Sequence, residues 1–165
     1  MTSRRQSPAP GHKWQKLVLL FSLFVLLCGC DKYSHKEDPA TTRIFAPIRA
    51  QVKALNKRDA AGALAEMHPE APGLDRTRQT TEGVTATYDL LYMIQSLSLE
   101  AVNEDEARVR FQQLTEKVSG PEFRSNRVAG IHTLRKYQGA WKIYYTQVLK
   151  IEYLDGRDGA GKGVK

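Results

Sequence analysis

Gln138 and Gly139 are the only residues between two long runs rich in β-branched and aromatic side chains, 126–137 and 140–154. A two-residue connection in which glycine can supply a positive φ is the signature of a tight antiparallel hairpin. It fixes the expected register on both sides: Tyr137 faces Ala140, Leu134 faces Ile143, His132 faces Tyr145 and Gly130 faces Gln147, provided that no bulge intervenes. Alternation then groups Trp141, Ile143, Tyr145 and Gln147 with Leu134 and His132 on one face. Thr133, Arg135, Lys142, Tyr144 and Thr146 take the other. Trp141, Ile143 and Leu134 are apolar, so the first face is the one expected to meet the rest of the chain.

Two further strands are predicted over 90–102 and 107–118, separated by the turn formers Asn103-Glu104-Asp105 and followed by Ser119-Gly120-Pro121. Ahead of Tyr88 the period changes. Ile44 or Phe45, Ile48, Val52 and Leu55 recur at three- and four-residue steps, which predicts a helix from about Thr42 with Pro47 in its first turn. Asp59 is a good N-cap for a short second helix over 60–67, ended by His68-Pro69, and Asp75 could cap a third through about Tyr88. Three helices followed by a four-stranded antiparallel meander make an α+β domain over 42–154.

Both cysteines, Cys28 and Cys30, lie in the first 30 of the 165 residues, so nothing beyond them can form a disulfide, a thiolate zinc site or a redox pair. Those 30 residues run from a basic stretch (Arg4, Arg5, Lys13, Lys16) through the apolar LVLLFSLFVLL to Leu27-Cys28-Gly29-Cys30. This is the order of a secretory signal, and the apolar stretch falls short of the ~20 residues a spanning helix needs. Its ending resembles the bacterial lipobox, with Cys28 where a smaller residue is commoner. The resemblance implies a signal peptide over 1–29 and lipid attachment at Cys30. A polar tether over 30–41 and a flexible tail over 155–165 complete the expected organisation. Asp31 resembles the inner-membrane retention residue of enterobacterial lipoproteins. The expected location is therefore a membrane surface facing the periplasm or extracytoplasmic space.

Charge does not point to nucleic acid. The formal net charge is +7, but four of the 25 basic residues precede Cys30 with no acidic residue among them, so the remainder carries +3. That is an ordinary solvated surface, and no nucleic-acid partner is expected. The tail sequence Gly156-Arg157-Asp158-Gly159-Ala160-Gly161-Lys162 imitates a phosphate loop, but Gly163 stands where Ser or Thr would hold magnesium and only two residues follow.

Three pieces carry a resemblance to a known fold family: Leu55-Asn56-Lys57-Arg58-Asp59 between the first helices, Val118-Ser119-Gly120-Pro121 to Asn126-Arg127 ahead of His132-Thr133-Leu134-Arg135, and Gly139-Ala140-Trp141-Lys142-Ile143. Together with the element order they make the chain similar to the nuclear transport factor 2-like (SnoaL-like, cystatin-like) superfamily, which includes ketosteroid isomerase and scytalone dehydratase. The resemblance implies a curved sheet wrapped round a helix to leave a cone. In that family the convex sheet face often dimerises, and Tyr144, Thr146 and Ile131 would suit such a face. The catalytic dyads of the family's enzymes do not map onto this sequence.

His132 with Tyr145 is the one pair resembling an acid/base couple, since imidazole titrates near neutrality and a phenol can orient a carbonyl or hydroxyl. Without a carboxylate on that face it reads as a binding pair, with Trp141 and Gln147 completing a pocket for a small hydrophobic ligand. His68 reads as a helix stop, and Arg124, Arg127, Arg135 and Lys136 as a basic surface. No metal or other cofactor is expected: HExxH, calcium-loop and cysteine-set motifs are absent and the four histidines are scattered. Two functions stay open, a membrane-anchored binding or accessory domain and a small lyase or isomerase. An open cone with a carboxylate beside His132 would favour the enzyme, and a filled cone a protein-interaction module.

Overall fold

The computed structural model describes residues 37–154. The expected signal peptide, lipid-attachment residue Cys30 and tail lie outside them. Among the described residues no helix is long and apolar enough to cross a membrane.

Helix α1 runs Pro39–Leu55, three residues earlier than the apolar stripe suggested. The reason is local. Asp38 accepts hydrogen bonds from the N–H groups of Ala40 (3.1 Å) and Thr41 (3.2 Å), and Pro39 occupies the first helical position, where no N–H is missed. The last residues assigned to the tether are thus helical. Pro47, expected in the first turn, lies inside the helix. Having no N–H, it leaves the carbonyl of Arg43 without a donor from its own helix.

The Asn56–Asp59 link explains itself atom by atom. The Asn56 side chain accepts from the Tyr92 N–H (2.7 Å) and donates to the Tyr92 carbonyl (2.9 Å), standing in for a neighbouring strand. Arg58, at a φ of 57°, donates to the last carbonyls of helix α3 (Leu74–Thr87), those of Thr85 (2.8 Å) and Ala86 (3.1 Å). Asp59 caps α2 (Ala60–Ala65) through the Gly62 N–H at 2.8 Å. Three of these four residues thereby join the three helices, and Asn56 ties them to the sheet. Gly73, at a φ of 71°, rather than Asp75, precedes α3.

Strands β1 (Asp89–Val102), β2 (Glu106–Ser119), β3 (Asn126–Tyr137) and β4 (Ala140–Tyr153) form one antiparallel sheet in sequence order. Their ends fall within a residue of the expected ones. Register shifts at Gln95 and Glu100 in β1, and at Tyr144 and Leu149 in β4, add a residue on one strand each time and bend the sheet. Its concave face closes over α1. Ile44, Phe45 and Ile48 pack against Ala107, Val109, Leu134 and Ile143, the last three fully buried, so the middle of the cone is filled with side chains. Residues 66–68 add to the edge of β4, with the Ile143 N–H donating to the Glu66 carbonyl (2.9 Å) and the His68 N–H to the Ile143 carbonyl (2.8 Å).

Candidate functional site

The hairpin register holds for four pairs, from Tyr137↔Ala140 to Leu134↔Ile143, and then breaks: Thr133 faces Tyr145, His132 faces Thr146 and Ile131 faces Gln147. Tyr144 is the extra residue. This overturns the expected His132–Tyr145 and Gly130–Gln147 pairs. Past the bulge the parity of β4 inverts, so Thr146 joins His132 on the concave face, while Tyr145 and Gln147 turn to the convex face and are exposed. Of the four expected binding residues, only Trp141 and His132 share a face, and of these two Trp141 lines the groove described below.

His132 is enclosed. It is 8% exposed, its Nδ1 lies 2.8 Å from the Thr146 hydroxyl, and its ring stacks on Phe111 with centroids 4.1 Å apart at 17°. Gly130 makes room for that stack, since a Cβ there would meet the Gln147 carbonyl oxygen and approach the Phe111 ring to 2.7 Å. Burial pushes the imidazole down from 6.5 to about 4, so it is neutral at neutral pH. It has no ion pair among the described residues. Its neighbours are thus a hydroxyl and an aromatic ring, and the neutral form is the one that such surroundings favour.

Tyr144, Thr146 and Ile131 do not make a common convex patch. Thr146 is concave, Ile131 is buried, and Tyr144 is covered by His68 (ring centroids 5.5 Å) and by the Arg135 guanidinium 3.8 Å above its ring. His68 is itself buried, and its Nδ1 accepts the Glu70 N–H at 3.1 Å. The basic residues are engaged as well: Arg127 pairs with Glu152 and Arg135 with Glu106.

A groove lies elsewhere, at the end of the sheet where the β1–β2 and β3–β4 turns meet the N-terminal half of α1. It encloses about 840 Å³ and is lined by Arg43, Pro47, Val102, Lys136, Trp141 and Lys142, among others. Trp141 forms an aromatic wall with the Lys136 ammonium 5.4 Å from its ring centre. Lys142 is held by the Ala65 carbonyl (2.7 Å) and the Glu66 carboxylate (3.3 Å), while Arg43 has no ion pair among the described residues. The groove thus combines apolar residues and one aromatic wall with cationic groups and the carboxylates of Glu66 and Glu104, Lys136 also lying 4.0 Å from Asp105, and such a mixture of apolar surface and a few polar groups can orient a small amphipathic molecule.

Of the residues flagged in the sequence, the groove gathers Trp141 and Lys136. Arg43, Pro47, Val102 and Lys142 were not flagged. A signal existed, because in a meander the first and third turns lie at the same sheet end; here the Lys136 N–H donates to the Asp105 carbonyl at 3.1 Å and joins them. Among the described residues no cluster of His, Cys, Asp and Glu could hold a metal ion.

Residues 46–154 match the family described as anti-sigma-I factor RsgI9, C-terminal domain. The anti-sigma-I factor RsgI9 of Acetivibrio thermocellus is 35% identical over 103 residues, which are 62% of this chain and 14% of that protein. The chain therefore spans about one seventh of the relative's length. Solved structures with the same fold include a candidate aromatic ring hydroxylase from Novosphingobium aromaticivorans (TM-score 0.59, 17% identity, 71% of this chain and 96% of that one). Others are a nuclear transport factor 2-like protein from Pseudomonas putida KT2440 (0.56, 16%, 66% and 84%) and a ketosteroid isomerase-like protein from Erwinia carotovora atroseptica (0.51, 20%, 68% and 98%). At these identities the likeness establishes the nuclear transport factor 2-like, cystatin-like fold and nothing about chemistry.

Proposed function

From the premise that the chain belongs to the family of RsgI9 anti-sigma-I factor C-terminal domains, we propose that it is a membrane-anchored, non-catalytic binding domain whose ligand surface is the Trp141 groove. The observation that carries this reading is the division of the concave face. The cone that an enzyme of this fold would use is filled by α1, with its histidine neutral and enclosed, and the open volume lies at the rim. The ligand is a small, mostly apolar molecule with an anionic or hydrogen-bonding head. Its apolar part lies on Trp141 and its head near Lys136 and Arg43, where cation and ring attract complementary groups. The anti-sigma activity named for the relative belongs to a protein seven times as long as the matched segment, and no sigma-binding role is assigned to this domain.

Anchoring rests on the sequence of the first 30 residues: a short apolar run behind basic residues, then Cys30, whose acyl chains would each add about 0.8 kcal/mol per buried methylene. Its test is Cys30→Ser, which is expected to abolish incorporation of a labelled fatty-acid analogue; a variant that labels like the wild type would refute lipid attachment at this thiol. The groove is tested with anilinonaphthalene sulfonate, an anionic aromatic probe, followed by its fluorescence. Trp141→Ala combined with Lys136→Ala is expected to weaken binding about tenfold or more, with His132→Phe unchanged. Binding that survives the first variant and disappears in the second would move the site into the cone.

A further inference from the structure

The distal half of β4 is an edge with nothing beside it among the described residues. Residues 66–68 cover β4 at Ile143, and no backbone hydrogen bond reaches its outer side after that point among the described residues. Val148, Leu149, Ile151 and Tyr153 are each about half exposed along this edge, at 51%, 48%, 50% and 51%. A long, apolar, unpaired edge is a template for another strand unless something protects it.

The ladder shows which groups the edge presents. The Leu154 N–H donates to the Ser125 carbonyl at 2.9 Å, and from there the pairs Asn126↔Tyr153, Arg127↔Glu152 and Val128↔Ile151 run without a shift. Hydrogen-bonded and non-hydrogen-bonded pairs alternate in an antiparallel ladder, so Glu152 and Lys150 turn their backbone groups toward β3, and Ile151 and Tyr153 turn theirs to the open side. A strand added antiparallel must therefore pair with Ile151 and Tyr153.

We infer that the occupant is a second copy of this chain, paired through β4 about a twofold axis at Ile151. Only a few symmetric registers satisfy the backbone. Centring on Ile151 opposes Ile151 to its own copy and places Lys150 of each chain opposite Glu152 of the other, two oppositely charged cross-strand pairs. Sliding the axis by one residue either way, to Lys150 or Glu152, opposes like charges directly. The same register brings the half-exposed Ile151 side chains of the two copies together at the axis. The two sheets become one of eight strands. This interface is remote from the Trp141 groove, and neither reading depends on the other.

Cross-linking in whole cells producing the full chain with Cys28→Ser tests the pairing, and the same chain without an added cysteine sets the background. At the twofold axis the two Ile151 Cα atoms would lie about 5.5 Å apart, within the range a disulfide spans. Ile151→Cys is expected to give a disulfide-linked dimer on mild oxidation. Tyr145→Cys, whose copies would lie about 40 Å apart at about 3.4 Å per residue, is expected to stay at background. Adding Glu152→Lys to Ile151→Cys should reduce the cross-link several-fold, and adding Lys150→Glu to that should restore it. Three results would overturn the proposal: no cross-link above background at position 151, a cross-link indifferent to the charge changes, or one that appears only after deletion of residues 155–165, which would make the chain's own tail the occupant.

Discussion

Acid reads out the enclosure of His132. Burial lowers its imidazole from 6.5 to about 4, so between those values the unfolded chain binds a proton that the native chain refuses. Stability then rises with pH across that window. The contribution is fully present above pH 6.5 and is lost as pH falls toward 4. Two and a half tenfold steps at about 1.4 kcal/mol each give about 3 to 4 kcal/mol in total, of which about 2 to 3 kcal/mol is gone by pH 4.5. Carboxylates also titrate in this range, so the comparison is with His132→Phe, which keeps an aromatic ring on Phe111 and removes the titrating group. Urea unfolding at pH 7 and pH 4.5, followed by tryptophan fluorescence, should show the wild type losing about 2 to 3 kcal/mol more than the variant. Equal losses would mean that the imidazole is protonated in the folded chain and that the site is wetter than its burial indicates.

Two substitutions test the packing around the same face. Gly130→Ala drives a Cβ into the Gln147 carbonyl and the Phe111 ring, and should cost about 1–3 kcal/mol in denaturant midpoint, as overpacking does; an unchanged midpoint would show that β4 can move away. Asn56→Ala removes both hydrogen bonds to the Tyr92 backbone and should cost about 1–2 kcal/mol, with faster amide exchange at Tyr92; unchanged exchange there would show that another donor or acceptor replaces the side chain.

Strand limits were legible because each turn has a chemical marker: Asn103 with its acidic neighbours, Gly120-Pro121, and Gln138-Gly139. The helix start was misplaced because the apolar stripe begins at Ile44 while the capping chemistry sits at Asp38-Pro39, and the cap decides where a helix begins. The bulge at Tyr144 has no such marker. An extra residue in a strand of tyrosines and threonines looks like any other, yet it inverts the face of everything after it, which is how Tyr145 and Gln147 came to the convex side and Thr146 to His132. Trp141 and Ile143 precede the bulge and kept their expected face. The groove was not legible beyond Trp141 because its lining comes from four separate stretches of chain, and the one motif among them, Gly139 to Ile143, marks the fold rather than a site.

The most direct test of the Trp141 groove as the ligand surface is a two-dimensional NMR titration of the folded chain with anilinonaphthalene sulfonate, recording backbone amides and tryptophan side-chain N–H groups. Shifts concentrated at Arg43, Val102, Lys136, Trp141 and Lys142, with Phe111, His132 and Thr146 unmoved, are the predicted result. Shifts centred on His132 and Thr146, with Trp141 silent, would contradict it.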